Sequence, residues 1–381
     1  MKNNRRDFIK KGAAAAATLG AGTIISPLAL NAGEKKKAAP KREYKKDAGM
    51  KLSYLMGPTS PKVPFALEMG VLHVVSGVER LEGSKPWDPE AISATKAIWD
   101  KIGIKWTVVE GPPSLGTQTK LGLKGRDEEI SNFITFMRNL KKYGDVDIIC
   151  YNWMPVISWA RTNHERPGRG GALMLEFDYE AMKGKPLTEY GEVPKETLWK
   201  NLEYFLKAVV PEAEKIGMNL SLHPDDPQVD VIQGISRIMN TVESFDRAMA
   251  ISPSKYNGVT MCQANISLMG ADIPALIRRW GKDKINFVHF RNVQDLSGVI
   301  PSTKFTETFH DEGQIDMYEA MKALYDIGFE GPLRPDHVPV MSTEIENPKM
   351  RGGYTTLGNL FATGYIRGLA ESVAKEGKTI K

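Results

Sequence analysis

Cysteine and histidine are both scarce in this chain, which has two cysteines and six histidines among 381 residues. Two cysteines cannot form the dense disulfide framework that holds small exported domains together, so that class of protein is excluded. The scarcity of histidine makes the position of each one informative. The chain also lacks any internal sequence repeat.

An excess of positive charge is absent from the part of the chain that is expected to fold. The formal net charge is +5, but residues 1–32 contribute +4 and residues 33–47 another +4, so the remainder carries −3. A mildly acidic domain gives no reason to expect nucleic acid as a partner.

The amino-terminal residues have the order of a bacterial signal peptide. Arg5 and Arg6 stand in a basic segment, residues 12–30 carry no charge, and Ala32 is a small residue suited to cleavage. A paired arginine before such a segment indicates the twin-arginine (Tat) export machinery as a partner and the periplasm as the destination. The alternative is an uncleaved leader that anchors the protein in the membrane, since the apolar segment is near spanning length.

Three regions follow from this organisation. Residues 1–32 are expected to be the signal peptide, and residues 33–49 a charged linker without apolar periodicity. Residues 50–381 are expected to form one catalytic domain, of a length that is normal for an α/β barrel.

Short, continuous apolar runs separated by helical stretches predict an α/β fold. Continuous apolar strands suit a parallel sheet that is covered on both faces. Eight of them, alternating with helices, predict a single-domain (β/α)8 TIM barrel. The predicted strands are 51–56, 70–75, 104–109, 146–151, 218–223, 258–262, 285–290 and 331–335, and the clearest helices are 89–102, 128–143, 195–216 and 315–327.

Four successive predicted strands end in residues that bind metals: His223, Cys262, His289 and Asp336. Each has a simpler interpretation alone, because histidine at a strand end usually makes a hydrogen bond and buried cysteine usually behaves as a small hydrophobe. In a TIM barrel, however, the carboxyl ends of all strands meet at one face. Imidazole, thiolate and carboxylate together predict a transition-metal site, which is too soft for calcium or magnesium alone.

Several motifs, in order along residues 71–369, resemble those of the mannonate dehydratase family, which belongs to the xylose-isomerase-like TIM barrels. The motifs are 106–110, 150–162, 223–227, 289–292, 310–317 and 334–337. The resemblance implies a hydro-lyase of hexuronate catabolism that converts D-mannonate to 2-keto-3-deoxy-D-gluconate and water.

The resemblance also implies roles for individual residues. The family's metal ligands fall on the four strand-end residues, and the family metal is Mn²⁺ or Fe²⁺. Its proton-transfer residues fall on His337 and Tyr354, and the sequence leaves open which is base and which is acid. By side-chain chemistry, the candidates for binding the sugar acid are Asn152, Arg161, Arg237, Arg291, His310 and Glu110, with Arg334 as a further possible clamp. A structural or solvated role stays open for each arginine, and a role as base in a different reaction stays open for Glu110.

The sequence departs from the family pattern in ways that bear on the substrate. Ser158 stands where an acid is usual, and Val338 and Pro339 follow His337 in place of the usual glycine. Export is also unexpected. One alternative is an exported metal-dependent isomerase or epimerase of the same barrel group, although those usually bind metal through two glutamates, an aspartate and a histidine. Another is a non-catalytic sugar-binding protein, and a homo-oligomer also stays open.

The two cysteines are expected to be free thiols. They end the fourth and sixth predicted strands, which are not neighbours in a barrel, and a thiolate bound to metal cannot also form a disulfide. Cys150 is therefore expected to be a buried structural residue and Cys262 a ligand.

Overall fold

Eight parallel strands close into a barrel in the order in which they occur along the chain. The structure is a computed structural model that describes residues 45–347 and 352–379. The strands are β1 (Lys51–Leu55), β2 (His73–Val75), β3 (Lys105–Glu110), β4 (Ile148–Asn152), β5 (Asn219–His223), β6 (Asn257–Cys262), β7 (Ile285–Phe290) and β8 (Pro332–Pro335). β8 pairs with β1 and closes the barrel, so the predicted TIM barrel is confirmed.

The largest difference from the predicted strands is at β2, which begins at His73 rather than at residue 70. Gly70 has a φ of +64°, and the amide of Val71 donates to the carbonyl of Ala66 at 2.8 Å. These residues therefore complete the end of the preceding helix and do not join the sheet.

Helices surround the barrel between its strands. They are α1 (Lys62–Glu68), α2 (Pro89–Ile102), α3 (Thr117–Leu121), α4 (Arg126–Asn139), α5 (Lys195–Ile216), α6 (Val242–Ile251), α7 (Gln263–Ser267), α8 (Ile273–Trp280), α9 (Met317–Asp326) and α10 (Thr356–Thr379). The predicted helix 128–143 is divided, because a π-helical segment, Leu140–Gly144, follows α4. The predicted helix 315–327 is shorter, because the Asp316 side chain caps α9 by accepting from the amide of Glu319.

The core has two layers. The larger lies between strands and helices and includes Trp99, Phe133 and Phe205, each fully buried. The smaller fills the barrel interior with Val75, Val108, Ile148, Cys150 and Phe287. Because this inner layer fills the barrel with apolar side chains, the polar groups of the strand ends collect at the carboxyl-terminal mouth.

A second, antiparallel sheet lies beside the barrel mouth and was not predicted from the sequence. We call it the side sheet. Its strands are, in spatial order, Val293–Asp295, Lys304–Glu307, Leu173–Asp178 and Asn163–Pro167. They come from the segments after β7 and after β4, both of which leave the barrel at its carboxyl-terminal end. Asn163–Pro167 is polar and mostly exposed, and Val293–Asp295 and Lys304–Glu307 are only three and four residues long, so these three strands gave no clear pattern.

The predicted linker ends earlier than expected. Lys46–Gly49 forms a 3₁₀ turn in which Ala48 is buried, and the Asp47 carboxylate accepts from the Arg367 guanidinium of α10 at 3.1 Å. The predicted signal peptide and the rest of the linker lie outside the described residues. Within the described ranges, no helix combines the length and apolarity needed to cross a membrane.

Both cysteines are buried free thiols, as predicted. Cys150 lies in the apolar layer inside the barrel and accepts a hydrogen bond from the Thr260 hydroxyl at 3.2 Å. Cys262 ends β6. The strands that carry them are separated by β5.

His310 connects the segment after the side sheet to the barrel. Its Nε2–H donates to the carbonyl of Phe290, the last residue of β7, at 2.7 Å. The ring is fully buried, and within the described residues its Nδ1 has no hydrogen-bond partner. Burial lowers the pKa of His310 to about 4.

This environment makes the stability of the fold depend on pH. The pKa of His310 is depressed in the folded state from an ordinary value of 6.5, so its contribution is fully present above pH 6.5 and is lost as the pH falls. Between pH 7 and pH 5, we expect this residue to lower the free energy of unfolding by about 2 kcal/mol. His310→Gln keeps a donor for Phe290 but does not titrate. Urea unfolding across this range should show a shallower pH dependence for the variant, and identical slopes would contradict the assignment.

Candidate active site

A cavity of about 430 Å³ opens at the carboxyl-terminal mouth of the barrel. It lies where the strand ends deliver their polar side chains, which is the usual position of a TIM-barrel active site. Of the residues predicted as site residues, the cavity is lined by Glu110, Asn152, His223, His289, Arg334, Asp336, His337 and Tyr354.

The four predicted metal ligands come together at this cavity, which His223, His289 and Asp336 line and beside which Cys262 lies. The ligand atoms of His223, Cys262 and His289 lie within 4.8 Å of one another. His223 Nε2 is 3.2 Å from His289 Nδ1, and Asp336 Oδ2 is 3.6 Å from the same nitrogen. β5, β6 and β7 are neighbours in the barrel, and Cys262 is directly opposite His289 in their ladder, which explains the convergence.

The protonation of His223 fits a metal ligand. Its Nδ1 is 2.7 Å from the carbonyl of Pro224, and because a carbonyl only accepts, Nδ1 carries the proton. Burial also lowers the pKa of His223, which favours the neutral ring. The Nε2 lone pair therefore points towards the other donors. An imidazole whose second nitrogen donates to a carbonyl is the usual arrangement of a metal-bound histidine.

A second group of possible ligands, Glu110, Cys150 and His289, shares His289 with the first. The Glu110 carboxylate is already bound by the Arg334 guanidinium through two contacts of 3.0 and 3.2 Å. Its Oε2 lies 3.5 Å from His289 Nε2, the ring nitrogen that faces away from the first group. This geometry suits a carboxylate that orients a ligand histidine.

The two predicted proton-transfer residues face each other across Asp336. The Tyr354 hydroxyl donates to Asp336 Oδ1 at 3.1 Å, and His337 Nε2 is 3.7 Å from the same oxygen. Their rings meet edge to face at 5.7 Å. Burial of its hydroxyl and the Asp336 carboxylate raise the pKa of Tyr354 well above its ordinary value, although the residue as a whole is 38% exposed, so the phenol stays protonated and can act as a donor.

Asn152 has a fixed orientation on the cavity wall. Its Oδ1 accepts from Lys120 Nζ and from the amide of Met154, both at 3.0 Å. Because both neighbours are donors, the oxygen must face them, and the amide NH₂ remains for the cavity. Asn152 therefore offers a donor to an oxygen of a bound molecule.

Arg161 and Arg291, predicted as clamps for the substrate carboxylate, are instead bound to protein carboxylates. Arg161 donates to Asp226 at 2.5 and 3.1 Å and also pairs with Glu307. Arg291 donates to Glu307 at 2.5 Å and to Asp226 at 3.3 Å. Neither arginine lines the cavity. The sequence motif located them correctly beside the site but did not show that their donors are already taken.

Two further predicted substrate-binding residues also lie behind the cavity wall. Arg237 is fully buried and donates to the carbonyl of Ser158 at 3.2 Å. His310 is bound to Phe290, as described above. The structure therefore places both in supporting positions.

Four residues at the site were not singled out from the sequence: Asp226, Glu307, Trp159 and His164. Asp226 lies within the motif 223–227, so a reading of that motif for carboxylates would have found it. Trp159 and His164 line the cavity on the segment after β4. Glu307 ends a strand of the side sheet that the sequence did not predict, so no local signal pointed to it.

Glu307 and Asp226 are held as anions. Burial pushes the pKa of each carboxyl upwards, but the guanidiniums of Arg161 and Arg291 outweigh that effect and keep both pKa values below the ordinary range. His337 Nδ1 lies 2.9 Å from Glu307 Oε1. Two arginines, two carboxylates and one imidazole thus form a buried cluster beside the cavity, and two of its members, Asp226 and His337, line the cavity wall.

Comparison with known proteins identifies the family. The family model described as D-mannonate dehydratase (UxuA) matches residues 62–189 and 184–380. The mannonate dehydratase of Streptococcus agalactiae serotype V is 33% identical over 332 residues, which cover 80% of this chain and 92% of that protein. That of Oceanobacillus iheyensis is 33% identical over 334 residues, covering 81% and 92%.

Solved structures agree with this assignment. The crystal structure of mannonate dehydratase from Streptococcus suis serotype 2 superposes with a TM-score of 0.77 at 31% identity, over 86% of this chain and 95% of that one. A xylose isomerase domain protein from Planctomyces limnophilus, with a TM-score of 0.54 at 13% identity over 86% and 98%, shares the fold alone. Since the family model matches most of the chain and relatives are 33% identical over at least 80% of it, the chain belongs to the D-mannonate dehydratase family.

Proposed function

We propose that this protein is a metal-dependent hydro-lyase that converts D-mannonate to 2-keto-3-deoxy-D-gluconate and water. The observation that carries the proposal is that His223, His289 and Asp336 line one cavity with His337 and Tyr354, while the Cys262 thiol lies within 4.8 Å of the ligand atoms of both histidines. Membership of the family supports the identity of the substrate, because the relatives bear the name mannonate dehydratase.

Dehydration of a sugar acid needs a base for the C2 proton and an acid for the C3 hydroxyl. The C2 proton is barely acidic while the neighbouring carboxylate is a full anion. A divalent ion held by His223, Cys262, His289 and Asp336 would neutralise that charge and so make the C2 proton easier to remove. We propose Mn²⁺ or Fe²⁺, in line with the resemblance drawn from the motifs.

The hydrogen bonds of His337 and Tyr354 support a division of roles. His337 Nδ1 lies 2.9 Å from the anionic Glu307 and 3.4 Å from Nη2 of Arg161, which can only donate. Because the shorter contact is to a carboxylate, which only accepts, we assign the proton to Nδ1, and this leaves Nε2 with a lone pair to take the C2 proton. Tyr354 holds its proton on the other side of Asp336 and can deliver it to the departing hydroxyl. We therefore assign His337 as the base and Tyr354 as the acid.

Asn152 supports recognition of the polyhydroxylated part of the substrate. Its amide donors face the cavity because its oxygen is occupied by Lys120 and Met154. Trp159, which is 40% exposed, covers the edge of the cavity and meets the His337 ring edge to face at 5.6 Å.

The residues of the site give less support to the two alternative functions, an isomerase or epimerase and a non-catalytic sugar-binding protein. The isomerases and epimerases of this barrel group are expected to use two glutamates with an aspartate and a histidine. Here β5 and β6 end in His223 and Cys262. A sugar-binding protein would have no use for an acid and a base on either side of Asp336.

We also propose that the protein is exported through the twin-arginine route. The support is the sequence alone: Arg5 and Arg6, followed by the charge-free segment 12–30. A protein that folds before export can acquire manganese or iron in the cytoplasm, where it avoids competition from more tightly binding copper and zinc.

The proposed reaction has a direct test. Purified protein loaded with Mn²⁺ or Fe²⁺ should turn over D-mannonate and release a 2-keto-3-deoxy acid. Tyr354→Phe should lower kcat by about a hundredfold or more, because it removes the proton donor. Metal content should be unchanged in the variant. Near-normal turnover by Tyr354→Phe would show that the acid is another group, and an inactive wild type would overturn the proposed reaction.

The two buried cysteines allow a matched test of the metal site. Wild-type protein should retain about one divalent ion per chain, and Cys262→Ser should weaken binding about tenfold or more. Cys150→Ser makes the same change two strands away, on β4. Cys150 belongs to the group of Glu110 and His289 and not to that of His223, and it lies in the apolar layer inside the barrel, so this variant should keep the ion. Elemental analysis after desalting measures both. Loss of metal from Cys150→Ser together with retention by Cys262→Ser would refute the ligand assignment.

Export can be tested at the paired arginines. Arg5→Lys combined with Arg6→Lys preserves the charge of the leader but removes the twin-arginine signature, so the full chain should stay in the cytoplasm. Cell fractionation with an immunoblot measures this, and a chain lacking residues 1–32 provides the cytoplasmic control. If the doubly substituted chain reaches the periplasm as efficiently as wild type, the proposed route is wrong.

A further inference from the structure

Glu307 contacts His337 although the two residues belong to different parts of the fold. Glu307 ends the Lys304–Glu307 strand of the side sheet, and His337 follows β8 of the barrel. Their contact, 2.9 Å between Glu307 Oε1 and His337 Nδ1, is a charge-assisted hydrogen bond within the buried cluster. Glu307 is 2% exposed, so water does not compete for this bond.

The carboxylate of Glu307 is itself held rigidly. Arg291 Nη1 donates to Oε2 at 2.5 Å, and Arg161 Nε donates to Oε1 at 3.1 Å. Two guanidiniums on opposite oxygens fix both the charge and the orientation of the carboxylate. The oxygen presented to His337 is therefore constrained before any substrate binds.

His337 is held in an unusual conformation. Its φ is +42°, in the left-handed region that side chains other than glycine rarely adopt. The backbone is fixed there by paired hydrogen bonds of 2.9 and 3.0 Å between Val338 and Gly353. The ring also lies between Trp159 and Tyr354, with centroid distances of 5.6 and 5.7 Å. Such strain is characteristic of functional positions.

We propose that Glu307 is a positioning residue for catalysis, which fixes His337 in the Nδ1–H tautomer and aims its Nε2 lone pair at the proton of the substrate. The inference deepens the proposed function and rests on it. Glu307 does not line the cavity and touches neither the donor atoms of the metal group nor the space for substrate. Its effect on the reaction passes through His337.

Asp226 provides a control that distinguishes a positioning role of Glu307 from a purely structural one. It has the same chemistry as Glu307 and the same two partners, since Arg161 and Arg291 both bind its carboxylate. It is equally buried, at 2% exposed. Within the described residues, however, its carboxylate makes no hydrogen bond to His337. Asp226 lines the cavity and Glu307 does not, so Asp226→Asn removes one charge from the same cluster, at a position nearer the substrate, without removing the hydrogen bond to His337.

The test is a pair of double-mutant cycles on kcat with D-mannonate. Glu307→Gln should lower kcat about tenfold or more while KM changes less than about threefold and the metal content is retained. In the His337→Gln background, Glu307→Gln should change kcat less than about threefold, because the imidazole through which Glu307 acts is already absent. Asp226→Asn should instead lower kcat by a similar factor in both backgrounds. Additive effects of Glu307→Gln and His337→Gln would overturn the inference.

A second measurement does not depend on turnover. In protein labelled with ¹⁵N-histidine, the His337 signals, assigned by their loss in His337→Gln, should show the proton on Nδ1. They should shift towards the other tautomer in Glu307→Gln, or in Glu307→Asp if the glutamine variant does not fold. A wild-type proton on Nε2 would refute the proposal. Failure of wild type to act on D-mannonate would instead refute the proposed reaction, so the two failures are distinguishable.

Discussion

The burial of four charges beneath the barrel mouth is the constraint on which the rest of the site depends. Arg161, Arg291, Asp226 and Glu307 are almost fully buried, and each guanidinium is neutralised by both carboxylates. Removing one member leaves an uncompensated charge, so the four are expected to act as a unit. Arg161 and Glu307 come from the segments that form the side sheet, and Asp226 and Arg291 follow β5 and β7. The cluster thus fixes the side sheet to the barrel.

The charged cluster allows one cavity to combine a metal site with a side chain that accepts a proton and a side chain that donates one. The barrel alone supplies the donor set, because consecutive strands carry His223, Cys262 and His289 at or next to their carboxyl ends. The side sheet supplies the carboxylate that orients His337. Asp336 lies between the two, with one oxygen near the donor set and the other bound by Tyr354. A change in how the side sheet packs would therefore alter proton transfer without removing a metal ligand.

The sequence was sufficient to predict the barrel and the metal donors, but it did not predict the charged cluster. Continuous apolar strands and the symmetry of a closed barrel determine which face the strand ends share, so the four donors followed from position alone. The substrate roles given to Arg161 and Arg291 did not follow, because arginine binds a protein carboxylate as readily as a substrate one. Only the tertiary contacts with Asp226 and Glu307 distinguish them. Glu307 was missed because its strand is only four residues long and is held on one side by residues 176–178, more than a hundred positions away, although on the other side Glu307 pairs with Val293.

The proposed reaction removes the C2 proton and expels the C3 hydroxyl of a sugar acid. The most direct measurement is NMR spectroscopy of the product formed from D-mannonate in deuterium oxide. Dehydration predicts a 2-keto-3-deoxy acid that has lost its C2 hydrogen and carries one deuterium from solvent at C3. A sugar acid that keeps all its hydroxyl groups and carries deuterium at C2 would show epimerisation instead and would contradict the account.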